Sequence, residues 1–176
     1  VTAGRAYEYR IVKATAAYTG YGYVLTGINV PLVDDRGIVV LIVDRTQAAP
    51  LARELARLEQ DLIGDGWRVR RHEVSPTDSV VSVKAAIAAD YAADPARVKA
   101  VFLFGHVPVP YSGRLNPDTH PDHIGAWPAD VYYGDMHGTW TDTTVNYRQT
   151  LNADPADAAR LTNLPGDGKF DQSVIP

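Results

Sequence analysis

The chain has 176 residues, a formal net charge of −4 at neutral pH and no cysteine. This length suits one ordinary domain, alone or with a fragment of a second, and allows a sizeable core. The mildly acidic charge, with Lys and Arg dispersed along the chain, argues against nucleic acid as a partner. The lack of cysteine excludes disulfides and a thiol nucleophile within these residues.

The sequence has no apolar run of the length that a membrane span needs, and its first residues lack the basic and apolar pattern of a signal peptide. We therefore expect no membrane partner. We also expect the chain to be a mature or excised piece of a longer, multidomain protein.

The first part of the chain, residues 1–33, favours extended structure. Tyr7 and Ile11 alternate with charged residues, and a second β-prone run follows a Gly-Tyr-Gly sequence. The pattern predicts a β-hairpin in which 6–14 pairs with 22–31. Two strands alone are marginal in water, so the hairpin needs a neighbouring sheet or domain.

The segment GRAYEYRI, residues 4–11, resembles the penultimate strand of a fibronectin type III module, and residues 20–31 resemble its last strand. The resemblance implies that 1–33 is the end of such a module. An edge hairpin added to the main sheet is the open alternative.

The pattern changes from Arg36 onward to alternating strands and helices. The aliphatic run 38–43 is typical of a strand buried on both faces of a parallel sheet. Leucines at spacings of four, three and four residues then predict an amphipathic helix, which ends at 64–66. They are Leu51, Leu55, Leu58 and Leu62.

A second unit of strand and helix follows the first. Residues 67–74 form the predicted second strand, Asp78-Ser79 caps a helix that ends at Asp94-Pro95, and 98–104 is the third strand. Such a series predicts an α/β fold with a mainly parallel sheet and right-handed connections over 34–176.

Polar residues follow the carboxyl ends of these strands. Asp44, His72-Glu73 and His106 are predicted to lie along one edge, where open α/β sheets bind their ligands. A lone His at a strand end also serves as a capping or packing residue, and both interpretations stay open.

A long polar loop follows the third strand. Its segment Asp118-Thr-His120-Pro-Asp122-His123 resembles the His-x-His-x-Asp-His signature of metallo-β-lactamase-type hydrolases, with Asp118 in place of the first His. The resemblance implies zinc bound by His120, Asp122 and His123, which would activate a water molecule. Alternatively, the prolines make the loop rigid and its polar side chains bind backbone groups.

The segments FLFG at 102–105 and WPADVYYGDMHGTWTD at 127–142 resemble the third strand and following turn of gingipain-like cysteine peptidases. The resemblance implies a caspase-like three-layer sandwich, a secreted protein at an extracellular or cell-surface location of bacterial type, and a peptide or protein partner. Such enzymes use a Cys thiolate assisted by a His. The resemblance implies that both come from a later part of the fold, and this chain has no Cys. In a related caspase-like interpretation, His106 after the third strand is the best candidate for the base.

The acidic residues of the second half indicate calcium. Carboxylates recur at spacings that allow one ion to be shared, and 163–171 looks like the start of a dockerin or EF-hand loop with Pro165 and Val174 out of place. A Pro-Gly-Asp-Gly turn without metal is the alternative. The candidate ligands are Asp130, Asp135, Asp142, Asp167 and Asp171.

Four aromatic residues, Trp127, Tyr132, Tyr133 and Trp140, accompany these carboxylates. Exposed rings of this kind bind substrates such as sugars by stacking. More often they anchor a long loop on the sheet beneath it.

Three functional hypotheses follow from the sequence. The first is a gingipain-like, peptidase-related domain without its nucleophile, which binds a peptide, a protein or other domains of a longer chain. The second is a non-enzymatic, calcium-stabilised binding or adhesion module. The third is a metal-dependent hydrolase centred on His120, Asp122 and His123.

Overall fold

The computed structural model describes residues 1–30, 34–114, 125–144 and 162–176. Its contacts divide the chain into two compact units, Val1–Asp35 and Arg36–Pro176, which we describe separately. None of the helices in the described ranges has the length and apolar character needed to cross a bilayer.

The first unit is an antiparallel hairpin of β1 (Tyr7–Ala14) and β2 (Thr19–Thr26). The hairpin confirms the sequence prediction, but its turn lies at residues 15–18 and the Gly-Tyr-Gly sequence lies inside β2. Thr15 explains the difference, because its backbone N–H donates to Tyr18 O at 2.9 Å and its hydroxyl accepts from Tyr18 N at 3.0 Å. This local closure lets β2 begin at Thr19 rather than at 22.

The second unit contains a parallel sheet in the order β4-β3-β5 and a small antiparallel pair, β6-β7. This arrangement confirms an α/β fold. Its elements in chain order are β3 (Gly37–Asp44), α1 (Arg45–Ala48), α2 (Ala52–Gly64), β4 (Trp67–Val74), α3 (Val80–Ala93), β5 (Val98–Phe104), β6 (Tyr111–Ser112), β7 (Trp127–Pro128) and α4 (Val131–Gly134).

The central strand β3 is buried along its whole length. Ile38, Val40 and Ile42 pack with α3, whereas Leu41 and Val43 pack with Leu55 of α2. Because successive side chains of a strand point to opposite faces, α2 and α3 cover opposite faces of the sheet. The continuous aliphatic run in the sequence reflects this double burial.

The two long helices follow the predicted pattern. The Ser79 hydroxyl accepts from Ser82 N at 3.1 Å and caps α3, whose Val83 and Ile87 are buried. In α2 only Leu55 is fully buried. Leu51 and Leu58 pack partly on the same cluster, so the leucine stripe faces the sheet as expected.

Candidate functional site

The carboxyl edge of the sheet is organised by Asp44, the last residue of β3. Its side chain is 1% exposed. One carboxylate oxygen, Oδ1, accepts from Thr46 N at 2.8 Å and from Thr46 Oγ1 at 2.7 Å. The other oxygen, Oδ2, accepts from His106 N at 3.1 Å. Asp44 therefore caps α1 and ties the end of β3 to the residue after β5.

These hydrogen bonds favour the charged form of the Asp44 carboxyl. The bond from the Thr46 hydroxyl lowers the pKa of Asp44 most, and the backbone N–H groups of Thr46 and His106 lower it further against the opposing effect of burial. Asp44 is thus a carboxylate in which both oxygens accept hydrogen bonds.

Gly105 allows the chain to pass over Asp44. Its φ is +81°, and a Cβ at this position would lie 2.8 Å from Asp44 Cβ. Both facts require glycine here. The chain beyond this turn leaves the imidazole of His106 exposed at the end of β5.

The other polar residues of the predicted edge have different partners. His72 Nε2 lies 2.6 Å from Asp90 Oδ2 on α3, and Arg70 donates to the same carboxylate at 3.2 Å. The Glu73 side chain accepts from Arg71 at 2.7 Å. Of the polar residues predicted at this edge, Asp44 and His106 therefore contact each other, while His72 is bound to α3.

Two carboxylates of the predicted calcium set form a reciprocal clasp. Asp142 accepts from Gly166 N at 2.7 Å and Gly168 N at 2.8 Å. In return, Asp171 accepts from Thr143 N at 2.9 Å and Thr144 N at 3.2 Å. Each segment thus binds the backbone of the other through one carboxylate. We call this arrangement the Asp142/Asp171 clasp.

The remaining carboxylates of the set are dispersed. Asp135 accepts from the backbone N–H of His137 and Gly138 and from Trp140 Nε1, and these bonds lower its pKa. Asp167 accepts from Leu164 N at 3.0 Å and pairs with its neighbour Lys169. Asp130 precedes α4 without a side-chain capping bond.

Within the described ranges, no three His, Asp or Glu side chains converge on a point where a metal would sit. Calcium at the five aspartates stays a prediction. The candidate zinc ligands His120, Asp122 and His123 lie outside the described residues, as does Asp118.

The four candidate aromatic residues divide into two kinds. Tyr133 is 1% exposed, and its hydroxyl donates to Pro108 O at 2.6 Å. Tyr132 is also buried and stacks on Phe170 with ring centroids 4.4 Å apart. Burial raises the pKa of both tyrosines. Tyr133 thus anchors α4 to Pro108, and Tyr132 anchors it to Phe170.

The two tryptophans line a cavity of about 300 Å³. Its walls come from β6, β7, the start of α4 and residues 172–175. A cavity of this size, with mainly apolar walls, lies at the lower end of the range for small-ligand pockets. Residues 172–175 show no periodic or motif signal, so their place in this cavity could not be predicted from the sequence.

Lys84 on α3 is a further residue that the sequence analysis missed. Its ammonium donates to Tyr133 O at 3.3 Å and to Asp135 O, at the end of α4. Partial burial lowers the pKa of Lys84, and the nearby Asp135 carboxylate opposes this effect. A cation at the carbonyl end of a helix is favourable, so Lys84 fixes α4 against α3.

The two edges of the parallel sheet differ in chemistry. β4 carries the sequence WRVRRHEV, with five charged or ionisable residues, as is typical of a protected edge. β5 reads VKAVFLF, and Phe102 remains 38% exposed on the face of α2. Apolar residues on both faces are typical of an interior strand, although within the described ranges β5 pairs only with β3.

The chemistry available at the carboxyl edge is that of an accessible imidazole beside a buried anion. No thiol is present in this chain to act with this imidazole. Comparison with known proteins gives no relative: no family model matches the sequence, and no curated protein or solved structure matches it significantly.

Proposed function

We propose that the second unit is a gingipain-like, peptidase-related domain of a secreted protein. It binds a peptide at the carboxyl edge of its sheet and lacks the nucleophile that would cleave it. The observation that carries this proposal is the Asp44–His106 contact, which fixes the backbone of His106 after a parallel strand and leaves this residue exposed.

The architecture supports the proposal. A caspase-like sandwich requires a mainly parallel sheet covered by helices on both faces, and here α2 and α3 cover opposite faces of β3. In such a site the imidazole after the third strand assists a thiolate. His106 takes that position, and the thiol would have to come from outside these 176 residues.

The apolar sequence of β5 also favours a further strand that pairs with β5. Such a strand would cover Phe102 and pair with the edge of β5 that has no strand beside it among the described residues. Another domain of a longer chain would supply this strand, as the peptidase resemblance implies.

The proposal is tested with the full chain and fluorescently labelled, denatured casein as the probe. We expect anisotropy to report binding and a gel to show intact casein. His106→Ala should weaken binding by about fivefold, the value of one lost hydrogen bond of ~1 kcal/mol. His137→Ala is the matched control, because His137 is also exposed but contacts Tyr91 instead.

Three outcomes would contradict the proposal. They are an absence of casein binding, equal binding by the His106 and His137 variants, and cleavage of casein by the chain itself. The last outcome would point to a hydrolytic mechanism that needs no thiol.

The tryptophan-lined cavity favours the second hypothesis, a non-enzymatic binding module. Trp127 and Trp140 line this cavity, and aromatic rings of this kind stack on planar or sugar-like ligands. A titration of intrinsic fluorescence with soluble oligosaccharides tests it. Quenching that saturates and is lost in Trp127→Ala supports this function, and unchanged fluorescence argues against it.

A further inference from the structure

The β1–β2 hairpin exposes an apolar face. Cross-strand pairs in an antiparallel ladder share one side, and three successive pairs here are Glu8 with Leu25, Arg10 with Tyr23 and Val12 with Tyr21. We call these six residues the tyrosine face.

The tyrosine face is open to solvent. Tyr21, Tyr23 and Leu25 are 61%, 62% and 63% exposed, and Val12 is 48% exposed. An isolated two-stranded hairpin is marginally stable, and a contiguous exposed apolar patch marks an interaction surface. This face is therefore expected to be covered by another molecule or segment.

The charges on this face are complementary to each other. Glu8 and Arg10 lie two residues apart on the same side of β1. The Arg10 guanidinium lies 5.9 Å from the centre of the Tyr21 ring, and neither charged group forms an ion pair with the described residues. A two-fold axis can place the acidic residue of one copy opposite the basic residue of the other, so such a surface is complementary to itself.

We propose that the tyrosine face binds a second copy of this chain. With the two-fold axis at the level of Tyr9 and Val24, the two hairpins pack face to face. Glu8 then lies opposite Arg10 of the second copy, and Tyr23 lies opposite Leu25 of the second copy. Stacked sheets are about 10 Å apart, a distance that a Glu and an Arg side chain together span.

The exposed area predicts a weak dimer. An aromatic side chain offers ~150–250 Å². The open fractions of the four apolar residues therefore set an upper limit of roughly 400–500 Å² per copy, because Val12 and Tyr21 lie opposite residues 6 and 27 of the second copy. The total of at most about 900 Å² lies below the usual size of specific interfaces and is that of a weak, transient dimer. We expect its dissociation constant to lie in the micromolar range or above.

Sedimentation velocity of the full chain tests this proposal over a concentration range of about 1 to 100 μM, which brackets the expected constant. We expect a reversible monomer–dimer equilibrium. Leu25→Thr should shift it toward monomer by at least tenfold. Ile11→Thr should leave it unchanged, because Ile11 is similarly exposed but lies on the opposite face of the same hairpin.

Charge reversal tests the two-fold geometry. Glu8→Arg and Arg10→Glu should each weaken the dimer, because each places like charges across the interface, and the double variant should restore it. A chain that stays monomeric throughout overturns the proposal. So does a dimer that Leu25→Thr and both reversals leave intact, or one that Ile11→Thr disrupts equally.

Discussion

The Asp44 carboxylate at the end of β3 binds the backbone N–H of His106 beyond β5, across 62 residues of sequence. This bond joins two adjacent parallel strands at the edge where α/β proteins bind ligands. It depends on Gly105, whose backbone conformation and small size let the chain pass close to Asp44.

Gly105→Ala is expected to destabilise the chain by about 1–3 kcal/mol. Alanine is unfavourable at the positive φ of this position, and its Cβ would lie too close to Asp44. Urea unfolding measures the change. Gly64→Ala is the matched control: no atom lies within 4 Å of its added Cβ, and it should stabilise α2 by roughly 0.5–1 kcal/mol. Equal effects of the two substitutions would show that Gly105 is not a special position.

The Asp142/Asp171 clasp predicts coupled stability effects. Asp142→Ala and Asp171→Ala should each cost about 0.5–1.5 kcal/mol, since each removes two side-chain hydrogen bonds to backbone N–H groups. A double-mutant cycle should give a coupling energy of about 0.5 kcal/mol or more, because the two residues join the same two segments. Asp130→Ala is the control and should lie within about 0.5 kcal/mol of the parent chain. Strict additivity would contradict the reciprocal arrangement.

Tyr133→Phe is expected to reduce stability by about 1–2 kcal/mol, because the buried carbonyl of Pro108 loses its donor. Tyr132→Phe keeps the ring that stacks on Phe170 and should change stability little. Thermal or urea unfolding of the two variants distinguishes these effects. A larger loss from Tyr132→Phe would mean that its hydroxyl, rather than its ring, holds the loop.

Acid should destabilise the fold. The pKa values of Asp44, Asp135, Asp167 and Asp171 lie below the ordinary value of 3.8, so the folded state binds protons less readily than the unfolded state. Their contribution is complete above the unfolded pKa and is lost as pH falls through the lowered values. Above about pH 5 these four groups should not change the melting temperature, and below about pH 4 their protonation should lower it. A melting temperature that rises on acidification would contradict this sign.

The predicted calcium site is tested by melting the chain in calcium and in chelator. Bound calcium should raise the melting temperature, by the equivalent of about 2.7 kcal/mol at a hundred times its dissociation constant. The carboxylates of the clasp already accept backbone N–H groups, so binding there should also shift the amide resonances of Gly166 and Gly168. Identical melting curves and spectra would exclude calcium at these aspartates.

Elements with a strong local signal could be predicted from the sequence. The run 38–43 has the composition of a doubly buried strand, and Ser79 with its apolar stripe defines α3. The turn at residues 15–18 could not be located, because glycines at 20 and 22 gave a stronger turn signal than the Thr15 hydroxyl.

The polar half of the unit was less predictable for a different reason. Its contacts join segments far apart in sequence, such as Asp142 with Gly168 and Tyr132 with Phe170. Periodicity reports which face of an element is buried but not which distant loop a carboxylate binds. The aspartates were therefore recognised as a group, whereas their partners were not.

The most direct test of the proposed function is an amide chemical-shift map of the ¹⁵N-labelled full chain titrated with a soluble casein peptide. We expect the largest changes at Asp44, Thr46 and residues 105–107, and their loss in His106→Ala. Changes confined to the β1–β2 hairpin, or changes at the edge that persist in His106→Ala, would contradict peptide binding at this edge.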